Sequence, residues 1–181
     1  MSRRLLQVGV RLHPDKGMFR VHDLGADPTG IQAPPPPGNH LLSVGYDQMW
    51  IGSLQDDVEI TLLLEEWDGM PPPSGQGPWE QEAFSELYLR GAVAVAGATG
   101  EPVLHGVRLA GGVGRYHMAV RARHRAEIAR LYDELLDRFR DGFSASFQAA
   151  LRELHGVEHY LVQLWPAQPT GPLRVIPDTP I

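Results

Sequence analysis

Apolar and polar positions alternate in short runs along most of the chain, the period of a half-buried β-strand. Leu6, Val8, Val10 and Leu12 alternate first, and Phe19 to Leu24 is expected to return as their hairpin partner. Leu42, Val44, Tyr46, Gln48 and Trp50 share one face of a strand, and Val58, Ile60, Leu62 and Leu64 share one face of the next. The other face of that second strand carries Asp57, Glu59, Thr61 and Glu65, the polar-out pattern of an antiparallel sheet. Phe84 to Leu89, Ala92 to Ala96 and Val103 to Leu109 read as further short strands, the middle one as an edge. Gly111-Gly112-Val113-Gly114 then reads as a turn. In the strand after it, Tyr116, Met118, Val120 and Ala122 face one way and Arg115, His117, Arg121 and Arg123 the other. A last strand is expected over 157–165.

The period changes between those two final strands. Ile128, Leu131, Tyr132, Leu135 and Phe139 form one helical stripe, supported by Glu134 and Arg138 at i, i+4 spacing. Phe143, Phe147, Leu151 and Leu154 form a second stripe, with Ser144 as cap and Gly156 as stop. The pattern predicts a mainly β (α+β) fold: an antiparallel β-sandwich with a two-helix insertion, 125–155, before the last strand. Around it the chain divides into an N-terminal arm over 1–33, with turn chemistry at Asp27-Pro28-Thr29-Gly30, and a Pro-rich linker over 34–40. The β domain covers 41–167, and a Pro-rich tail 168–181.

Composition narrows the function classes. The 181 residues are 43% hydrophobic, enough for a core, and carry a formal charge of −6, which disfavours general nucleic-acid binding. There is no cysteine, so disulfides, thiolate metal sites and cysteine nucleophiles are excluded. Met1-Ser2-Arg3-Arg4 is not followed by an apolar run of signal-peptide length, and no stretch has the length of a membrane span. A cytoplasmic protein is therefore expected. Lys16 is the single lysine among 16 basic residues, which matches the coding bias of a GC-rich bacterium.

No catalytic or cofactor motif is present. The glycines at 111–114 precede a strand, whereas a dinucleotide fingerprint needs a glycine turn between a strand and a helix. Ser43, Ser53, Ser74, Ser85, Ser144 and Ser146 lack the strand-to-helix context of a nucleophile elbow. Glu65 and Glu66, as strand neighbours, point to opposite faces and do not converge as a carboxylate pair. Eight histidines raise a metal reading, with His117 facing His159 and His105 or His124 beside them; surface or hydrogen-bonded histidines are the competing account.

Binding is the remaining class. The stripe Arg115, His117, Arg121 and Arg123 suits an anionic group or acidic partner; its alternative is a solvated face paired with Glu59, Glu65 or Glu158. Trp67 and Trp79 flank the loop Pro71 to Pro78, either as interface anchors or packed back on the domain, while Trp50 and Trp165 are expected in the core.

Gly114-Arg-Tyr-His-Met-Ala-Val-Arg-Ala-Arg123, with Val157-Glu-His-Tyr-Leu-Val-Gln-Leu-Trp-Pro-Ala167, resembles the closing strands of a group of small actinobacterial β-sandwich proteins. Ser43 to Ile51 resembles their opening strand, and the whole order is distantly similar to competence protein J, the small inhibitor of a DNA-entry nuclease. The resemblance implies a non-enzymatic protein-binding module, an inhibitor or immunity-type protein directed at a nuclease or toxin, with no cofactor and no catalytic residue. Its partner-binding candidates are Asp57, Glu59, Glu65, Trp67, Trp79, Arg115, His117, Arg121 and Arg123. Acidic side chains among them would stand where a nuclease expects phosphates. The alternatives are a self-associating structural subunit and a histidine-based metal enzyme.

Overall fold

A computed structural model describes residues 2–26, 34–73, 75, 77–99 and 102–167. The expected turn at 27–30, Ser74 and the tail 168–181 lie outside the described residues. The elements run β1 (Arg4–Leu12), β2 (Met18–Asp23), β3 (Leu42–Val44), β4 (Gln48–Gly52), β5 (Ile60–Trp67), β6 (Gln81–Gly97), β7 (Pro102–Arg123), α1 (Arg125–Arg138), α2 (Ala145–Leu154) and β8 (His159–Pro166). The fold is mainly β with the two-helix insertion between the last two strands. Hydrogen bonding is continuous through one eight-stranded sheet, ordered β1-β5-β8-β7-β6-β2-β4-β3. The sheet is mixed, because β5 and β8 are parallel.

The sheet covers its own apolar face by bending. β6 and β7 form one long antiparallel hairpin, where the sequence pattern suggested four short strands. Their register slips from Arg90↔Val113 to Ala92↔Arg108, so the residues of β7 just before Val113 bulge out against Gly91. Gly91 (φ 96°) and Gly112 (φ 68°) adopt left-handed conformations there, and a Cβ on Gly91 would lie 3.5 Å from the Gly112 backbone. The glycines at 111–114 therefore make a corner within a strand, not a turn between strands. The bulge releases backbone amides, and buried carboxylates accept them. Glu66 takes the N–H groups of Ala110 and Gly111, each at 2.8 Å, and Asp23 takes that of Arg90 at 2.5 Å.

Beyond the corner, β2, β4 and β3 extend from the far half of β6, while β8, β5 and β1 extend from the near half of β7. The two halves close on a common core. Phe19, Val21, Met49 and Ile51 from one half meet Leu62, Leu64, Tyr160 and Val162 from the other, and the Phe19 and Tyr160 rings meet edge-on at 4.9 Å.

Several local expectations change for tertiary reasons. β1 pairs with β5, and β2 with β4 and β6, so the arm is not a hairpin: its two strands belong to opposite ends of the sheet. The expected strand from Leu42 to Trp50 is a tight hairpin of β3 and β4, closed by the Gly45 N–H donating to Gln48 O at 2.8 Å. Trp50 is buried under Arg20 but lies outside the main cluster, and half-exposed Trp165 lies beside His117 and does not join the core.

The apolar stripes of the helices close on Val58, from the loop after β4, with Ile128, Phe147 and Leu151 buried around it. Ser144 caps α2 by accepting the Phe147 N–H at 3.2 Å, and Gly156 turns the chain back with φ 75°. Glu134 pairs with Arg130 rather than Arg138, whose guanidinium stands over the Phe139 ring. Among the described residues no helix is long and apolar enough to cross a membrane.

If the corner sets the architecture, Gly91→Val is expected to lower unfolding stability by about 1–3 kcal/mol, the scale of an imposed left-handed strain. Glu66→Ala, which strips two amides of their acceptor, is expected to cost about 1–3 kcal/mol as well. Urea unfolding of the two variants measures both, and Gly9→Ala on edge strand β1, whose added Cβ meets nothing within 4 Å, is the neutral control.

Candidate functional site

β5 and β6 run in the same direction with β8 and β7 between them, so the chain must cross the outer face of the sheet to join them. The Pro-rich loop at 68–80 makes this crossing. Pro72, Pro73 and Gly75 share a recess with Glu65, Trp67 and Gln163, and Trp79 lies under Arg123 at 5.2 Å. This decides the state of several expected binding residues. Glu65, expected in solvent, is buried and accepts from Arg4 at 3.0 Å, Gln7 at 3.2 Å, the Trp67 indole at 2.9 Å and Gln163 at 2.8 Å. Trp67 and Trp79 are half-buried, packed back on the domain.

The cationic stripe has the spacing read from the sequence, and three of its four side chains face carboxylates. Arg115 and His117 face Glu86 at 3.6 and 3.0 Å, and Arg121 pairs with Glu82 and Gln163. Arg123 contacts His159 at 3.1 Å. The acidic partners come from β6, not from Glu59, Glu65 or Glu158, because β6 lies directly beside β7 on this face. Glu59 is engaged by Arg11 at 3.3 Å. His117 lies opposite Trp165 and His159 opposite Arg123, so the two histidines do not meet; among the described residues no group of three or more metal-ligating side chains forms.

Carboxylates without a cationic partner gather elsewhere. The loop joining β4 to β5, the turn between β1 and β2, the end of the Pro-rich linker and α1 enclose a cleft of about 620 Å³. Asp56, Asp57 and Asp133 line it, Lys16 stands at the wall, and Met18, Pro36 and Leu54 supply apolar surface. Asp56 accepts the Gly17 N–H and Asp57 the Tyr132 hydroxyl, the latter at 2.5 Å. No cation pairs with Asp56, Asp57 or Asp133 among the described residues. Burial first, and then the bond to Asp57, push the Tyr132 phenol up to about 12, so it stays a donor at neutral pH.

The acidic loop is held from beneath. Glu158, fully buried, accepts from Ser53 Oγ and Gln55 Nε2, each at 2.9 Å. Gln55 also bonds both backbone groups of Val58, accepting at 2.7 Å and donating at 3.0 Å. These bonds fix the backbone on either side of Asp56 and Asp57. Arg125 ties the helix start to the linker, donating to Asn39 O at 3.2 Å, His40 O at 3.4 Å and the Gln81 side chain.

Glu158 also accepts from the Tyr160 hydroxyl. The phenol lies within bonding distance of Gly52 O, at 2.9 Å, and of Glu158 Oε1, yet has one hydrogen to give. Burial raises the Glu158 pKa, against bonds from Tyr160, Gln55 and Ser53 and the field of Arg125, which lower it. Burial and the neighbouring Glu158 raise Tyr160 as well.

Sequence reasoning named Asp57 as a site candidate but not Asp56 or Asp133, and read Tyr132 only as part of a helical stripe. Adjacent Asp56 and Asp57 between two strands were a visible signal; their meeting with α1 was not, because it depends on where the helical insertion docks.

The Glu158 shift has a testable sign. A carboxyl whose folded pKa lies above its unfolded value binds more protons when folded, so its stabilising contribution is complete at low pH. That contribution is lost as pH rises from the ordinary glutamate range, about 4.3, through the raised folded pKa. Glu158→Gln is expected to flatten the fall in melting temperature over this window; an unchanged slope would assign the dependence to other groups.

No family model and no curated protein matches the sequence. Solved structures do share the fold. One is the crystal structure of ComJ, inhibitor of the DNA degrading activity of NucA, from Bacillus subtilis. The match to ComJ has a TM-score of 0.52 and 8% identity, over 92% of this chain and 98% of that one. Another is crocagin biosynthetic gene J, with a TM-score of 0.54 and 12% identity over 93% of this chain and 99% of that one. At such identities the likeness is one of fold, and it extends over nearly the whole of each chain.

Proposed function

We propose that this protein is a non-enzymatic, inhibitor-type binding module whose target is a nuclease or toxin with a basic active-site surface. The observation that carries the reading is the cleft formed by Asp56, Asp57 and Asp133. Its carboxylates are unpaired by cations, while the Arg and His face of β7 has its own acidic partners. A nuclease presents cations and donors where phosphates bind, and a rigid trio of carboxylates offers them a competing anion. The apolar wall of Met18, Pro36 and Leu54 adds a surface from which contact expels water. The near end-to-end fold likeness to ComJ supports the inhibitor class. The nine residues singled out from the sequence reduce to one in this cleft, Asp57; on this reading the others shape the surface around it.

Titration of the purified protein into DNA degradation by NucA, and by a panel of basic bacterial nucleases and toxins, tests the reading. Stoichiometric inhibition is expected for at least one member, weakening as salt is raised. The triple variant Asp56→Asn, Asp57→Asn, Asp133→Asn is expected to keep its melting temperature within a few degrees and to lose inhibition by about tenfold or more, about 1.4 kcal/mol. A triple variant that inhibits as well as the parent would remove the cleft from the interface.

A further inference from the structure

The bent sheet leaves a seam that its own strands do not close. Past the corner, β3 comes to lie alongside the near half of β6, and the two are joined at one end only. There the Tyr88 N–H donates to Tyr46 O at 2.9 Å, and the two rings stack at 5.3 Å. Away from this junction the walls enclose a groove of about 550 Å³, bordered by 39–42 on one side and 80–83 on the other. Arg125 spans its far end, bonding Asn39 O and the Gln81 side chain.

Both walls present backbone groups to the groove. The bonds of Leu41 O and Gly45 N to β4 show that Leu42 and Val44 direct their N–H and C=O groups away from β4. The bonds of Tyr88 N to Tyr46 and of Arg90 N to Asp23 show that even-numbered residues of β6 direct theirs away from β7, so Glu82, Phe84 and Glu86 do the same. Among the described residues none of these five has a backbone hydrogen-bond partner on the groove side. Leu42 and Ala83 line the groove and are half-buried against the main core, as is Val44 toward the junction. Glu80, Glu82 and Glu86 lie along the β6 wall; they face His124, Arg121, and Arg115 with His117 respectively, as surface pairs whose carboxylates stay 40–48% exposed.

We propose that this seam is a strand-addition site for an extended segment of a partner protein, one whose apolar residues alternate with arginine or lysine. The backbone of such a segment would pair with the β6 edge, its apolar residues would pack on Leu42, Val44 and Ala83, and its cations would meet the glutamates. A row of three outward-directed residues on β6 suits a segment of about six residues. Unprotected edges of this kind are rare in native sheets because they recruit strands. The groove lining shares no residue with the acidic cleft, so this site stands or falls independently of the nuclease reading.

Amide hydrogen exchange on the full chain tests the proposal, with acetyl-Val-Arg-Val-Arg-Val-Arg-amide as probe. In dilute protein the amides of Val44, Glu82, Phe84 and Glu86 are expected to exchange freely. Saturating probe is expected to slow them about 100-fold, matching an opening free energy of about 2.7 kcal/mol. A glutamate-for-arginine probe and a fully N-methylated probe are expected to leave them unprotected. Phe84→Pro, which deletes one groove-facing donor on an edge segment, is expected to weaken the probe about tenfold or more; the N-methylated control needs no variant to fold. Four results would overturn the proposal: exchange indifferent to the Arg probe, equal protection by the N-methylated probe, protection already present in dilute free protein because the chain's own residues fill the seam, or protection that grows with protein concentration because a second copy does.

Discussion

The corner in the β6–β7 hairpin is the constraint on which the rest of the structure depends. A single sheet has two faces and cannot bury one unless something lies against it. Here the something is its own other half. Gly91 and Gly112 permit left-handed backbone where the two strands fold over, and Glu66 and Asp23 accept amides that the fold-over unpairs. Those two carboxylates are themselves buried, so the corner is stable only as a set: glycine geometry, released amides and acceptors occur together or not at all.

Once the sheet is folded, connections between parallel elements have to travel over its outside. The loop at 68–80 crosses β8 and β7, carrying Pro72 and Pro73 over Gln163 and Trp79 beneath Arg123. Proline suits such a path because it needs no acceptor for a backbone N–H and resists collapse into a helix. The crossing buries Glu65, while the neighbouring stretch of β7 stays open and compensates its arginines with Glu82 and Glu86. The cations of that stretch are thereby paired within the face, by glutamates that stay partly exposed. The helical insertion stands apart, closing on Val58 and bringing Asp133 toward Asp56 and Asp57.

The buried pair Glu158–Tyr160 explains how an acidic loop can be rigid without cations. Ser53 and Gln55 are held by Glu158, and the Tyr160 hydroxyl links that hold to Gly52 at the end of β4. The charges that face solvent are thus positioned by a network from which solvent is excluded. Such positioning lets a surface carboxylate contribute to recognition without first losing conformational freedom.

Local alternation and helical period were enough to determine that the chain is mainly β, that α1 and α2 interrupt it before the last strand, that Ser144 begins α2, and which residues of 115–123 share a face. Each of these depends on neighbours within a few residues. The identity of the partners did not follow, because pairing is a long-range choice. Glycines read as a turn became a corner once β6 and β7 ran on as single strands. An alternating run from Leu42 to Trp50 hid a hairpin because Gly45 and Asp47 sit in phase with the strand pattern. Glu65 looked like an outward charge; side chains of β1 and β8 and the path of the Pro-rich loop buried it. Asp56 and Asp57 were visible as charges in the sequence; that they form a site with Asp133 was decided by the docking of a helix some seventy-five residues later, as the bond between Asp57 and Tyr132 records.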